Sequence, residues 1–468
     1  MLSRNDIILK VELCRRILTD YKFLIDAPLV SFFQENQWQF IEDKGWDTYL
    51  LSLNDEELCR LPDPQQFPTT AATPGSLAEL IGNCHDVCCS FSTYTAPGLH
   101  EEAIVSLGMS PKKQHEVLQM SSAVLHLLQD QDITQIIDFG SGKGYLPENI
   151  ALTSPHVRVV GLDKEEGNTK GGLKRNLLME KQWFPLYRKL NPNRQAPIRP
   201  LNHYLPITLE LTSDHISNRF VHTIASLSGN HIEPGKDTML IGLHACGDLT
   251  PLLLQIFRTC PDLKCIVSVG CCYHIITQRE RTLCYMTEGC HKDKLLDPSA
   301  VHAYPMSQYL QQSPLYFTRN ALCLAQQAPE KMAVTSAFPA KNLFFRAVFQ
   351  VMLLELCKDP PVLNVGQSAS RETDFLAYSK AAFSKLRIEH CNLTDSAVMA
   401  HFNRFSCVHE RQLYAVYQLR TLLARVIESI ILLDKVLYLD DNGFKSEVFS
   451  LFNPVVSPRC FVLVTTKS

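Results

Sequence analysis

IIDFGSGKGYLPENIAL, residues 136–152, is the stretch on which the fold turns. A short apolar run, Gln135 to Phe139, leads into glycines at alternate positions, Gly140, Gly142 and Gly144. Leu146, Ile150 and Leu152 then suggest the start of a helix. Strand, glycine turn and helix in that order present bare backbone N–H groups to a ligand, an arrangement suited to anions and nucleotides. A kinase-type phosphate loop requires G-x-x-x-x-G-K-[ST], and no such string is present. A dinucleotide fold needs a small residue where this chain has Tyr145, so that helix and strand can approach closely.

What remains is D-x-G-x-G-x-G led by Asp138, which is similar to the first motif of S-adenosylmethionine-dependent methyltransferases of the Rossmann-like class. A second acid is then expected at the end of the next strand, to accept from both ribose hydroxyls. HVRVVGLD supplies it, with a strand over Val157 to Leu162 and Asp163 lying 19 residues beyond Gly144. HYLPITLEL, His203 to Leu211, predicts a third strand, and Met239 to Leu243 and Cys265 to Val269 two more. The last two break at His244–Asp248 and Gly270–His274. In an open α/β sheet the ligand crevice lies at the carboxyl ends of the strands, where all these clusters fall. The expected cofactor-binding residues are Asp138, Gly140, Ser141, Gly142, Gly144 and Asp163, with His244, Cys246 and Gly247. Asp248, Tyr273 and His274 are the polar candidates for removing a proton from an acceptor.

The predicted fold class is α/β: a Rossmann-like class I methyltransferase sheet of seven strands, the last antiparallel. An N-terminal helical region (1–100) precedes the cofactor-binding half of the core (101–277), in which Ser110 caps a helix with Pro111 at its first position. Lys112, Lys113 and His115 of that helix are candidates to reach the cofactor side, with a solvated basic first turn as the alternative. A mostly helical insertion (278–405) follows, because no ordinary connection is that long. A long helix over Arg411 to Leu439 and a final strand pair, EVFSLFNP and CFVLVTT, complete the core in 406–468.

The chain has 468 residues, 46% hydrophobic and 20% charged, with a net charge of -3, which gives no global pull toward nucleic acid or anionic membrane. Its most apolar long segment carries Arg425, Glu428, Asp434 and Lys435, so no membrane span is expected. Asp6 and Glu12 interrupt the first apolar region, which argues against a signal peptide. The 17 cysteines include adjacent pairs that suit no simple disulfide framework, which predicts an intracellular protein with reduced thiols. His244, Cys246, Cys271, Cys272 and His274 raise the question of a metal. They lack a C-x-x-C pair, and adjacent cysteines rarely share one tetrahedral zinc, so none is expected. Between Lys164 and Arg199 nine Lys/Arg against three Glu give a local net charge of +6, interleaved with Trp183, Phe184 and Tyr187. That pattern suits an RNA contact, with a solvated basic helix as the alternative.

DFGSGKG, GLHACGDLT, VGCCYH, SPKKQHEV (110–117), NLFFRA (342–347) and LFNPVVSPRC (451–460) together resemble the methyltransferase-like protein 25 family across nearly the whole chain. The resemblance implies the fold above and S-adenosylmethionine as cofactor. A shorter branch of that family is named for ribosomal RNA adenine dimethylation. Adenine dimethylases, however, carry N-[IL]-P-[YF] where this chain has His244-Ala-Cys-Gly-Asp248. A more distant likeness is to tRNA ribose 2′-O-methyltransferases with paired H-L-C-G and C-C-H strings, the second interrupted here by Tyr273. The expected acceptor is RNA. A protein acceptor, or a catalytically silent cofactor-binding subunit, is the alternative.

Overall fold

The computed structural model describes residues 2–88, 91–95, 108–154, 156–190, 204–278, 303–335, 341–356, 372, 374–386 and 394–467. Seven strands form one sheet: β1 Gln135–Phe139, β2 Arg158–Asp163, β3 Tyr204–Thr208, β4 Thr238–Cys246, β5 Leu263–Cys271, β6 Lys445–Ser450 and β7 Phe461–Thr466. Their spatial order is β3-β2-β1-β4-β5-β7-β6. Strands β1 to β5 are mutually parallel, and β7 runs antiparallel to both of its neighbours. This is the Rossmann-like class I methyltransferase sheet that the motifs predict. The order reverses at β1 and β4, and in such sheets a ligand crevice opens there. All five residues of β1 are buried, as is usual for a parallel strand covered on both faces.

Two strands run further than the sequence suggests. β4 does not break at His244. It continues to Cys246 across a register shift between Leu243 and Ala245, and β5 continues to Cys271, which pairs with Cys246. His244 takes the left-handed conformation (φ 67°) at that shift. It is the extra residue of a bulge, a device that re-aims one side chain without ending the ladder. The long helix expected over Arg411 to Leu439 is also two helices, Cys407–Leu422 and Ala424–Asp441, joined at Leu423.

The surrounding helices share the core of the sheet. One continuous set of buried apolar side chains runs from Ile7 through Trp46, Ile137 and Phe349 to Leu463. The helix Arg4–Asp20 packs on Ala424–Asp441, and Arg4 Nη2 lies 2.7 Å from Asp441 Oδ1. Trp46 is fully buried, with its indole Nε1–H donated to Ser76 Oγ at 2.9 Å. Between β5 and β6 the described residues of the expected insertion include the helices Gln308–Gln312, Arg319–Leu324, Pro329–Thr335, Asn342–Leu356, Phe375–Leu386 and Asp395–Phe402. No helix among the described residues is long and apolar enough to cross a membrane. Every described cysteine is a free thiol.

Candidate active site

The glycine loop leaves β1 with all three glycines at positive φ (Gly140 66°, Gly142 56°, Gly144 76°). Only glycine enters this region freely, because a Cβ would crowd the following carbonyl. Gly144 has a second reason: a Cβ there would fall 2.5 Å from the Tyr204 hydroxyl of β3. Around Gly142 a Cβ would meet nothing within 4 Å. The loop is tied to β2, with the N–H groups of Gly140 and Ser141 donating to Leu162 O at 2.9 and 3.1 Å. Gly142 N–H donates to Asp163 Oδ2 at 2.9 Å.

Asp163 therefore does more than end a strand. Its Oδ1 accepts from Glu165 N–H at 2.9 Å and from Asn168 Nδ2 at 3.1 Å. A carboxylate offers about four acceptor directions. With three donors placed, one direction remains, where the sequence suggested acceptance from both ribose hydroxyls. Asp138 is the opposite case. It is 2% exposed, and its Oδ1 finds no hydrogen-bond partner among the described residues. Burial pushes its carboxyl well above the usual carboxylate range, with Lys113 opposing the shift and Asp163 adding to it.

The second wall of the rim is β4 and the helix Pro111–Gln131. His244 Nε2 lies 3.0 Å from Glu116 Oε2, and Ser457 Oγ donates to Glu116 Oε1 at 2.7 Å. Burial alone would raise the Glu116 carboxyl, but the His244 contact and charge and the Ser457 hydroxyl outweigh it and hold it at about 2. Glu116 escaped sequence reasoning, although it stands inside the SPKKQHEV string. Lys112 and Lys113 lie 3.6 and 4.0 Å from the same carboxylate, so these two lysines reach the site. His115 does not. Its Nε2 accepts Asn453 N–H at 3.0 Å, on the final hairpin.

Gly247 (φ 54°) is required by packing, since a Cβ would lie 2.6 Å from Ile275 Cγ1 and 3.2 Å from the Ile275 carbonyl oxygen. Asp248 Oδ1 accepts Thr277 N–H at 2.8 Å, fastening the segment that follows β5. His274 Nδ1 lies 2.7 Å from Gln326 Nε2. Tyr273 must be reassigned. It is 2% exposed and donates its phenolic proton to Glu428 Oε1 at 3.0 Å, inside the core. Burial and the Glu428 carboxylate both raise its pKa well above the ordinary value, so it is not a base at the rim.

The cysteines also depart from expectation. Cys246 Sγ lies 2.9 Å from Cys271 Sγ, and Cys271 Sγ 3.7 Å from Cys272 Sγ. Adjacent residues of a strand point to opposite faces. Cys272, however, follows the end of β5 in the left-handed conformation (φ 52°), which turns its side chain toward the same place as Cys271.

Of the basic segment, Lys164, Lys170, Lys174 and Lys181 are exposed along and just before the helix Glu166–Leu190. Arg175 is not free for a partner. It pairs with Glu148 and sits 4.3 Å from the centre of the Tyr145 ring. Residues 191–199 lie outside the described residues, and the side chains of Trp183, Phe184 and Tyr187 are not described.

A family model described as a methyltransferase domain matches residues 112–279, which span β1 to β5 and every rim cluster above. The chain is similar to a probable methyltransferase-like protein 25 of Mus musculus, 26% identical over 77% of this chain and 75% of that protein. The corresponding Homo sapiens protein is 26% identical over 79% of this chain and 76% of that one. These matches agree with the family resemblance carried by the sequence motifs. A crystal structure of coclaurine N-methyltransferase bound to N-methylheliamine and S-adenosylhomocysteine aligns over 97% of this chain and 98% of that one. It does so at 12% identity and a TM-score of 0.22.

Proposed function

We propose that this chain, with a methyltransferase domain at its core, is an S-adenosylmethionine-dependent methyltransferase that acts on RNA inside the cell. The unpartnered buried Oδ1 of Asp138 beside an open glycine turn is the observation that carries the cofactor assignment. S-adenosylmethionine offers what that pocket lacks, a cationic amino group for Asp138 and hydroxyls for the remaining acceptor direction of Asp163. Within the Gly140–Gly144 loop, Gly142 leaves room for its methionine part, and the β4 end at His244, Cys246 and Gly247 forms the opposite rim. The bound cofactor supplies an electrophilic methyl group. Asp248 and His274 remain the candidates to take a proton from the acceptor.

Lys174 and Lys181 support RNA as acceptor, because exposed cations on the helix that follows Asp163 suit a phosphate backbone, whereas Lys164 and Lys170 are paired with Glu165 and Glu166. A protein acceptor is favoured by a different feature of the same helix, its exposed Leu173, Leu177 and Leu178. Calorimetry separates the cofactor classes: S-adenosylhomocysteine should bind and NAD should not. Transfer of a labelled methyl group into fractionated cellular RNA and protein separates the acceptors, and label in neither fraction favours a silent cofactor-binding subunit. Gly142→Val should abolish S-adenosylhomocysteine binding; a Cβ there meets nothing within 4 Å, so any loss of stability comes from the positive φ alone and is read separately by thermal denaturation.

A further inference from the structure

We propose that Cys246, Cys271 and Cys272 form a three-thiolate site for a soft divalent cation, zinc, at the rim of the strand-end crevice. Their sulfur atoms all lie within 4.8 Å of one another. Backbone geometry brings them there. Cys246 and Cys271 are register partners on adjacent strands. The bulge at His244 restores the β4 ladder just before Cys246. The left-handed Cys272 then brings the third sulfur to the same point. A non-glycine residue in that conformation costs roughly 1–2 kcal/mol, so surrounding structure must hold it. Simple packing of three small apolar side chains needs no such turn.

The chemistry of the surroundings fits. Thiolates select soft cations such as zinc over magnesium or calcium. Three thiolates with Zn²⁺ carry a net charge of about -1, which a cation nearby should offset. Arg459 acts on both Cys246 and Cys272, and it is fixed by donating from Nη1 to Gln326 O at 2.7 Å. Two sulfurs on one zinc stand roughly 3.8 Å apart, given Zn–S bonds of about 2.3 Å in a tetrahedron. The Cys271–Cys272 separation of 3.7 Å already matches, and the Cys246–Cys271 pair at 2.9 Å must open on loading. Three protein ligands leave a fourth position for water or for a donor atom of the acceptor, the pattern of catalytic zinc sites. The Cys246 sulfur is thereby assigned to the ion and not to the organic cofactor. The site stands whether or not the chain transfers methyl groups.

The test uses the full-length chain purified without chelators. Its metal content should approach one zinc per chain by mass spectrometry. Stripped protein titrated with Co²⁺ should develop sulfur-to-cobalt charge-transfer absorption together with the visible bands of a tetrahedral ion. Cys246→Ser and Cys272→Ser should each weaken the metal by more than the roughly 10–100-fold that loss of a supporting group costs. Cys407→Ser, an exposed thiol on another helix, should leave it unchanged. If the serine variants fail to fold, the wild-type cobalt titration decides alone. Wild-type protein that gives no cobalt–sulfur absorption overturns the site. So does loss of two thiols to a Cys246–Cys271 disulfide in the presence of oxidised glutathione, if saturating zinc does not prevent it.

Discussion

Two parts of the molecule bury charged side chains, and they do so in opposite ways. In the helix Ala424–Asp441 the charges are answered from within. The guanidinium of Arg425 meets Glu330, Glu428 and the Pro458 carbonyl, and Glu428 also receives Tyr273. Asp434 accepts from the backbone N–H groups of Met306 and Ser307 and from the Ser307 hydroxyl. At the ends of β1 and β2 the accounting is incomplete, with an unpartnered oxygen on Asp138 and an acceptor direction to spare on Asp163. Burial is common to both places. Between the two, an unpartnered carboxylate oxygen belongs to the second alone, although the helix has unpartnered hydroxyls at Ser429 and Tyr438, and it separates a ligand site from an internal brace. Tyr273, adjacent to the rim in sequence, falls on the brace side.

The sharpest way to break this contrast is Arg425→Met. Leaving Glu428 buried beside an apolar side chain should cost about 3–5 kcal/mol in chemical denaturation. The folded fraction should still bind S-adenosylhomocysteine. If stability is unchanged, the brace is not structural. Asp163→Ala should show the reverse pattern. Losing a hydrogen bond to a charged group is worth about 1.5–3 kcal/mol, so calorimetry should register a loss of cofactor affinity of about ten-fold or more. Unaltered affinity in a folded Asp163→Ala chain would remove that residue from the site.

The Glu116 contact with His244 should appear in the pH dependence of stability. Its folded-state pKa of about 2 lies below the ordinary 4.5. The unfolded chain therefore binds the proton more readily as pH falls. The stability this group contributes is fully present above about pH 4.5 and is lost as pH falls toward about 2. Denaturation of wild type and Glu116→Gln across that window should give curves that converge at the acid end. Parallel curves would show that the His244 contact does not hold in solution. The smallest effect expected is on RNA. Lys174→Ala and Lys181→Ala should each lower the log–log salt slope of RNA affinity by about 0.7 if each contacts a single-stranded phosphate. Arg175, committed to Glu148, should not contribute.

How far the sequence could be read differs between the same two regions. The strands of the sheet are legible because buried parallel strands are apolar, β-branched runs bounded by glycine or acid, as in QIIDF and VVGLD. The glycine loop is legible because its conformation excludes other residues. Glu116 is not, because the partner that gives it meaning, His244, lies 128 positions away. The proximity of Cys271 and Cys272 to Cys246 is hidden for another reason. Spacing implies opposite faces for neighbours, and only the backbone angle of Cys272 reverses that. Tyr273 was misplaced by the same turn, which carries it inward to Glu428.

The order of the strands has a consequence for synthesis. β7 lies between β5 and β6 in the sheet but follows both along the chain. Until residues 461–466 leave the ribosome, β5 keeps an open edge of unpaired N–H and C=O groups, the kind of edge that recruits other strands. The first helix has a similar wait, since Ala424–Asp441, on which it packs, is made more than 400 residues later. Pairings this distant are slow to form and leave apolar surface uncovered meanwhile. The nascent chain therefore carries this open edge and uncovered apolar surface until residues 461–466 pair with β5.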